Sequence, residues 1–263
     1  MSRIIVNRRK FLTIAGVAAS AIPLSGCDAL DGFLSGQSPV RDFLASANGL
    51  TYRAHRMLIG ADTLVPEFSA SEIRQGQRPN GSTDPTDEAY LALKEKTFAD
   101  YRLTVGGLVE KPLTFSLDEL RNMPTRTQIT RHDCVEGWSC IAKWTGVPLA
   151  TILDQVKVKP EAKFVVFHCF DTMNLGLSGA IAYYESIDLI DARHPQTILA
   201  YGNNDQALSI ANGAPLRVRV ERQLGYKMAK YIKGIELTST LAPFGRGKGG
   251  FWEDLGYDWY GGI

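Results

Sequence analysis

Apolar and polar positions change period repeatedly along the middle of this chain, and each period predicts a short element. From Tyr101 to Val109 they alternate with period two, which predicts a strand. Ser116-Leu117-Asp118-Glu119 has the form of a capping box and predicts a short helix to Met123. Thr125 to Arg131 reads as a strand feeding a turn at Cys134. Between Pro148 and Val156, Leu149, Ile152, Leu153 and Val156 recur at helical spacing on one face. Lys163 to His168 reads as a buried strand, Ser186 to Ala192 as a short helix, and Thr197 to Tyr201 as a strand. Asn203-Asn204-Asp205 predicts a hairpin turn, and Leu216–Val220 and Tyr231–Thr238 the last strands. Strands and helices mix without a βαβ rhythm, so the expected class is α+β, with mixed β-sheets and short helices.

The flanks read differently. Asn7-Arg8-Arg9-Lys10-Phe11-Leu12 is a twin-arginine signature, followed by an apolar run from Leu12 to Leu24. That run is shorter than the ~20 residues a spanning helix needs, so residues 1–26 are expected to be a Tat-type signal peptide. Leu24-Ser25-Gly26-Cys27 resembles a lipobox, which makes Cys27 a lipid-bearing residue and the exported protein periplasmic or extracytoplasmic and membrane-anchored. Residues 27–77 are expected to form a tether, mobile to about residue 40, and an irregular arm with short helices. A core spans 78–240, and 241–263 is a tail rich in glycine and aromatic residues.

Composition narrows the class. The chain has 263 residues, 44% hydrophobic and 22% charged, enough for one large core. Without residues 1–26 there are 25 basic and 28 acidic side chains, so no basic excess points to nucleic acid. No GxGxxG motif or P-loop is present, which argues against nucleotide cofactors. Four cysteines are few for a disulfide scaffold. Cys140 and Cys169 are open to pairing or to plain packing. Cys134-x5-Cys140 and His168-Cys169 lack the usual spacing of a structural zinc site, leaving a cluster of His132, Cys134, Cys140 and His168 as a remote alternative.

Candidate chemistry gathers in two blocks. The first is Thr130-Arg131-His132-Asp133-Cys134-Val135-Glu136-Gly137-Trp138-Ser139. The second is Asn212-Gly213-Ala214-Pro215-Leu216-Arg217, followed by Gly225-Tyr226-Lys227-Met228-Ala229-Lys230. A soft thiolate on a turn, with a later strand rich in Arg and Lys, suits a soft redox metal held by an anionic cofactor. Together the blocks resemble the molybdopterin domain of the sulfite oxidase family, above all its periplasmic single-domain branch, which includes methionine sulfoxide reductase catalytic subunits. The resemblance covers roughly residues 78–240.

The resemblance implies a sulfite-oxidase-type fold, a molybdenum-molybdopterin cofactor, and two-electron oxygen-atom transfer. Cys134 is the implied metal ligand and Tyr183, in Tyr183-Tyr184-Glu185-Ser186-Ile187, the implied catalytic tyrosine. Asn80, Thr83, Asp84, Cys169, Asn212, Arg217, Met228, Ala229 and Lys230 are the implied cofactor contacts, Arg217 and Lys230 at the phosphate. Two positions depart from the pattern. Met228-Ala229 stands where relatives carry Gly and Ile, and Cys169 where they place a small hydroxyl residue. Glu221 could instead neutralise the cationic face of Arg217 and Arg219. The acidic and apolar Val135-Glu136-Gly137-Trp138 favours a sulfoxide or related S- or N-oxide over sulfite, although Arg131 and Arg78 could supply charge. With no Cys-x-x-Cys-His haem motif, electrons are expected to pass to or from a separate haem-containing membrane subunit or cytochrome. Sulfite dehydrogenase is the alternative enzyme; a lipoprotein binding module that has lost the cofactor is the alternative without catalysis.

Overall fold

The computed structural model describes residues 39–263 except 77 and 175–179. The signal sequence, Cys27 and the tether to residue 38 lie outside the described residues. The chain divides into two units, 1–49 and 50–263. Residues 39–49 of the first are helical, within α1 (Pro39–Leu58).

In the second unit α1 is followed by a 3-10 turn at Ala70–Glu72 and by α2 (Glu88–Glu95), whose N-cap Asp87 accepts from Tyr90 N. Then come β1 (Arg102–Gly107), β2 (Leu113–Ser116), α3 (Leu117–Asn122), β3 (Arg126–Cys134), β4 (Trp138–Pro148) and α4 (Leu149–Val156). The second half holds β5 (Phe164–Asn174), β6 (Ala180–Asp188), α5 (Leu189–Ala192), β7 (Ile198–Asn203), β8 (Gln206–Ala207), β9 (Arg217–Arg219), a 3-10 turn at Gly225–Lys227, β10 (Ile232–Thr238) and α6 (Phe251–Asp254). No helix among the described residues is long and apolar enough to cross a membrane.

Two sheets form. One runs β2-β1-β10-β5-β6, with β1 parallel to β10 and the other neighbours antiparallel. The other runs β3-β4-β7-β8, with β9 also paired to β7, and is antiparallel throughout. The α+β class with mixed sheets is thus the observed one. The main core is built from strand faces, Leu103, Val105, Val165, Phe167, Ile235 and Leu237, and from the α4 stripe of Leu149, Ile152, Leu153 and Val156. Each such side chain contributes about 1.5–3 kcal/mol on burial. The capping box at Ser116 and Glu119 forms as the pattern predicts, each side chain bonding the other's backbone N–H.

Several boundaries differ from the sequence reading. The helix predicted over Ser186–Ala192 begins only at Leu189, because Ser186 and Ile187 pair with Val166 and Val165 in the sheet. Asp188 is the N-cap; its carboxylate accepts from Asp191 N, and an acidic cap terminates the strand there. Residues 39 and 40, inside the predicted tether, are already helical. Strands β4 and β6 went unpredicted: β4 alternates in burial, but its inner positions Cys140, Ala142 and Trp144 are interleaved with Ile141, which blurs the pattern. Cys140 and Cys169 are free thiols.

Candidate active site

Cys134 sits where β3 ends in a hairpin. It pairs with Trp138 across a three-residue loop whose Gly137 has φ +82°, a value that favours glycine, and Gly137 N–H donates to Cys134 O at 3.0 Å. The hairpin thereby fixes the thiol at a rim. Four other segments meet it there: the arm at Asn80–Ser82, β5 at Asp171, β6 at Tyr183, and the 3-10 turn running into Met228 and Lys230. The tail closes the cleft with Trp252 and Tyr257, leaving about 650 Å³ that opens to solvent.

Behind the cleft lies a buried cationic cradle. Arg217 and Arg219 are two apart on β9, so both project to one face, and their guanidinium groups lie 5.0 and 4.4 Å from the Trp144 ring centroid. Arg219 is neutralised: Glu221 accepts from it at 2.9 and 2.6 Å. Arg217 is not. It is 1% exposed and donates to Asn212 O at 3.0 Å, Met228 O at 3.4 Å and Asn80 Oδ1 at 3.5 Å, while its Nε has no partner among the described residues. Burial, and then Arg219, push the Arg217 pKa down to about 9 against the pull of Glu221. Lys230 donates to Ala211 O at 3.0 Å and to Ser82 O. Burial, and then Arg217, push its ammonium down to about 7, with Asp171 pulling the other way. His132 accepts from Arg219 on Nδ1 at 2.9 Å, and its Nε2 is buried without a partner among the described residues. Burial and the neighbouring cations hold it neutral, so the free Nε2 carries the hydrogen. Gly225 lets the 3-10 turn pass against this ring: a Cβ there would stand 2.4 Å from His132 Nε2.

The family model for the oxidoreductase molybdopterin binding domain matches residues 90–243. This chain belongs to that family. A protein of Azospira oryzae named for a protein-methionine-sulfoxide reductase subunit, YedZ1, is 35% identical over 97% of this chain and 87% of its own length. The protein-methionine-sulfoxide reductase catalytic subunit MsrP of Campylobacter jejuni is 33% identical over 75% of this chain and 76% of its own. MsrP of Ralstonia nicotianae is 30% identical over 90% and 70%. Among solved structures, the sulfane dehydrogenase SoxCD of Paracoccus pantotrophus aligns with a TM-score of 0.46 at 25% identity, over 54% of this chain and 39% of its own. The chain is therefore a molybdopterin oxidoreductase, with molybdenum-molybdopterin as its cofactor.

The cradle fits such a group. Molybdopterin carries a phosphate, and a buried phosphate wants forked guanidinium and ammonium donors. Here Arg217 Nε and His132 Nε2 are unpartnered donors, and no carboxylate bonds Arg217 among the described residues. The pterin rings need polar edges, and Asn212 Oδ1 is buried with no partner among the described residues. At the rim, burial raises the Cys134 thiol pKa, with the Glu136 carboxylate adding and Arg78 opposing. A coordinated metal ion deprotonates such a thiol outright.

The remaining implied residues are scattered. Met228 lines the cleft, but its N–H donates to Gly225 O at 3.1 Å. Ala229 is buried in the core, its carbonyl accepting from Val218 N. Cys169 is buried in the same core, and burial raises its thiol pKa. Thr83 and Asp84 are exposed, and Asp84 is paired with Lys94 at 2.8 Å. Tyr183 lines the cleft with its hydroxyl donating to Tyr226 O at 2.9 Å, so it braces the 3-10 turn; its neighbour Tyr184 faces the other way, to Asp254. His132 and His168 do not converge on Cys134: one bonds Arg219 and the other Glu236. Sequence reading missed Asp171, Trp144 and the tail aromatics. Nothing in the order of residues says that Trp144 stacks on Arg217 and Arg219.

Proposed function

We propose that this chain is the catalytic subunit of a methionine-sulfoxide reductase, removing the oxygen of an S-oxide as water with two electrons and two protons. The single observation that carries this reading is the wall of the cleft beside Cys134. Val135, Met173, Trp252 and Tyr257 line it, no arginine does among the described residues, and the one cation there, Lys230, is held by Ser82 O and Ala211 O. An S-methyl sulfoxide is neutral and partly apolar, which suits that wall; sulfite is an anion and does not. Both arginines near the hairpin are engaged elsewhere. Arg131 pairs with Asp133 at 2.9 Å, and Arg78 pairs with Glu136 at 3.5 Å and stacks on Trp138. The names carried by relatives at 30–35% identity support the same substrate class.

In this reading Cys134 supplies the protein thiolate to the metal, Arg217 and Lys230 hold the cofactor phosphate, and Asn212 and Asn80 hold polar edges. When bound, the cofactor supplies two-electron oxygen-atom transfer. Electrons come from a separate subunit, a reading supported by the relatives' names as subunits and in keeping with a sequence that has no Cys-x-x-Cys-His motif. The twin arginine at 8–9 and the lipobox ending at Cys27 support Tat export and lipid anchoring in the periplasm or on an outer membrane face.

The test is an assay of the metal-loaded full chain with a reduced viologen donor on methionine sulfoxide, free and in peptides, and with ferricyanide on sulfite. The reading expects sulfoxide reduction at least a hundredfold above sulfite oxidation, abolished in Cys134→Ser. Sulfite oxidation as the faster reaction overturns it.

A further inference from the structure

Among the described residues the cleft holds one buried carboxyl group. Asp171, on β5, lines the cleft and is only 4% exposed. Its Oδ2 accepts from Ser82 Oγ at 2.6 Å, while its Oδ1 has no hydrogen-bond partner among the described residues. Ser82 is itself pinned, its carbonyl accepting from Lys230 and, at 3.0 Å, from Tyr231 OH. The carboxyl is therefore held rigidly with one oxygen uncommitted. Sulfoxide reduction requires two protons in this cleft: the sulfur–oxygen bond breaks, sulfur gains two electrons from the external one-electron donor, and the oxygen leaves as water.

Of the other acids on the wall, Tyr257 is exposed at the mouth, and four are already committed. Tyr183 OH donates to Tyr226 O, and Tyr226 OH to Asp258 O at 2.7 Å. Lys230 Nζ donates to Ser82 O and Ala211 O. Glu136 is exposed, ion-paired with Arg78 and bonded by Trp138 Nε1.

We propose that Asp171 is the acid that protonates the departing oxygen atom, a role resting on the S-oxide reading above. A general acid must be protonated at rest and rechargeable. Burial raises the Asp171 pKa, against the Ser82 hydrogen bond and the pull of Lys230 and Lys233. The other titratable groups that sense it are Tyr90, Tyr183, Tyr231 and Cys169, which are neutral and do not oppose its protonation. Recharging runs through Ser82, half-buried at the rim.

The test uses the full-chain holoenzyme with Asp171→Asn and Asp171→Glu. Asp171→Asn should keep its molybdenum, lose about a hundredfold or more in kcat with KM changed less than twofold, and lose the alkaline fall in kcat that wild type shows. Asp171→Glu should recover part of the rate. A readout independent of turnover is the stability of the metal-free chain. A carboxyl with a raised folded pKa binds a proton that the unfolded chain has already lost, so as pH rises from the ordinary aspartate range toward neutrality wild type should lose more stability than Asp171→Asn. Wild-type rate and pH profile in fully loaded Asp171→Asn overturns the proposal, as does loss of molybdenum from that variant, which makes Asp171 a holding group instead. A wild-type enzyme that reduces no sulfoxide sinks the substrate reading, and this role falls with it.

Discussion

Lys227 and Lys230 are three residues apart, both buried, and electrostatically opposite. Lys227 is 0% exposed, and its ammonium donates to Glu185 and Glu253. Burial pushes its pKa down, but the two carboxylates outweigh burial and hold it above the ordinary lysine range. Burial, and then Glu253, push Glu185 well above the carboxylate range, against Lys227. Lys230 and Arg217 have carbonyl and amide oxygens as hydrogen-bond partners and no such closure. A structural ion cluster holds its own counter-charge; a binding cradle leaves its charge open for something that arrives later. The same contrast recurs within β9, where Arg219 has Glu221 and Arg217 does not.

That contrast breaks most visibly on Lys227→Met. Removing one partner of a closed buried cluster strands the others, so the variant should lose about 3–5 kcal/mol in denaturant unfolding, with or without cofactor. Arg217→Met should cost much less in the metal-free chain. Relief of a buried charge that has no carboxylate partner offsets the lost hydrogen bonds to Asn212 O, Met228 O and Asn80, so urea unfolding should change by no more than about 1 kcal/mol while cofactor binding is lost. Equal losses of stability in both variants would erase the distinction. The smallest effect sharpens it. Lys230 titrates at about 7 in the folded chain, far below the 10.5 of a free lysine. Between those values the unfolded chain binds more protons, so the metal-free protein should become more stable as pH rises from about 7 to 10, by at most about 1.4 kcal/mol per pH unit. Lys230→Met should flatten the slope, and so should bound cofactor, whose phosphate restores the charge.

Much of the frame was legible along the chain. Local signals found the capping box at Ser116, the α4 stripe, the turn at 203–205 and the strand into Cys134 because each depends on neighbours a few residues apart. Strand β6 was missed because Tyr183 to Asp188 reads as helix or loop until β5 pairs with it. In the site, Cys134, Arg217 and Lys230 were singled out by short motifs, and the structure brings Cys134 and Lys230 to one cleft with Arg217 behind it. Glu221 was a fair candidate to neutralise Arg217, and only packing decides that Arg219 takes it. Asp171 and Lys227 carry no local signature: their meaning comes from Ser82, Glu185 and Glu253, which are 89, 42 and 26 residues away in sequence.

The most direct test of the open cradle is elemental analysis of the purified full chain, wild type and Arg217→Met, from cells that load other molybdoenzymes. The account predicts about one molybdenum and one cofactor phosphorus per wild-type chain, and loss of both together in Arg217→Met with the protein still folded. A wild-type chain with neither element, or an Arg217→Met chain that keeps both, would contradict it.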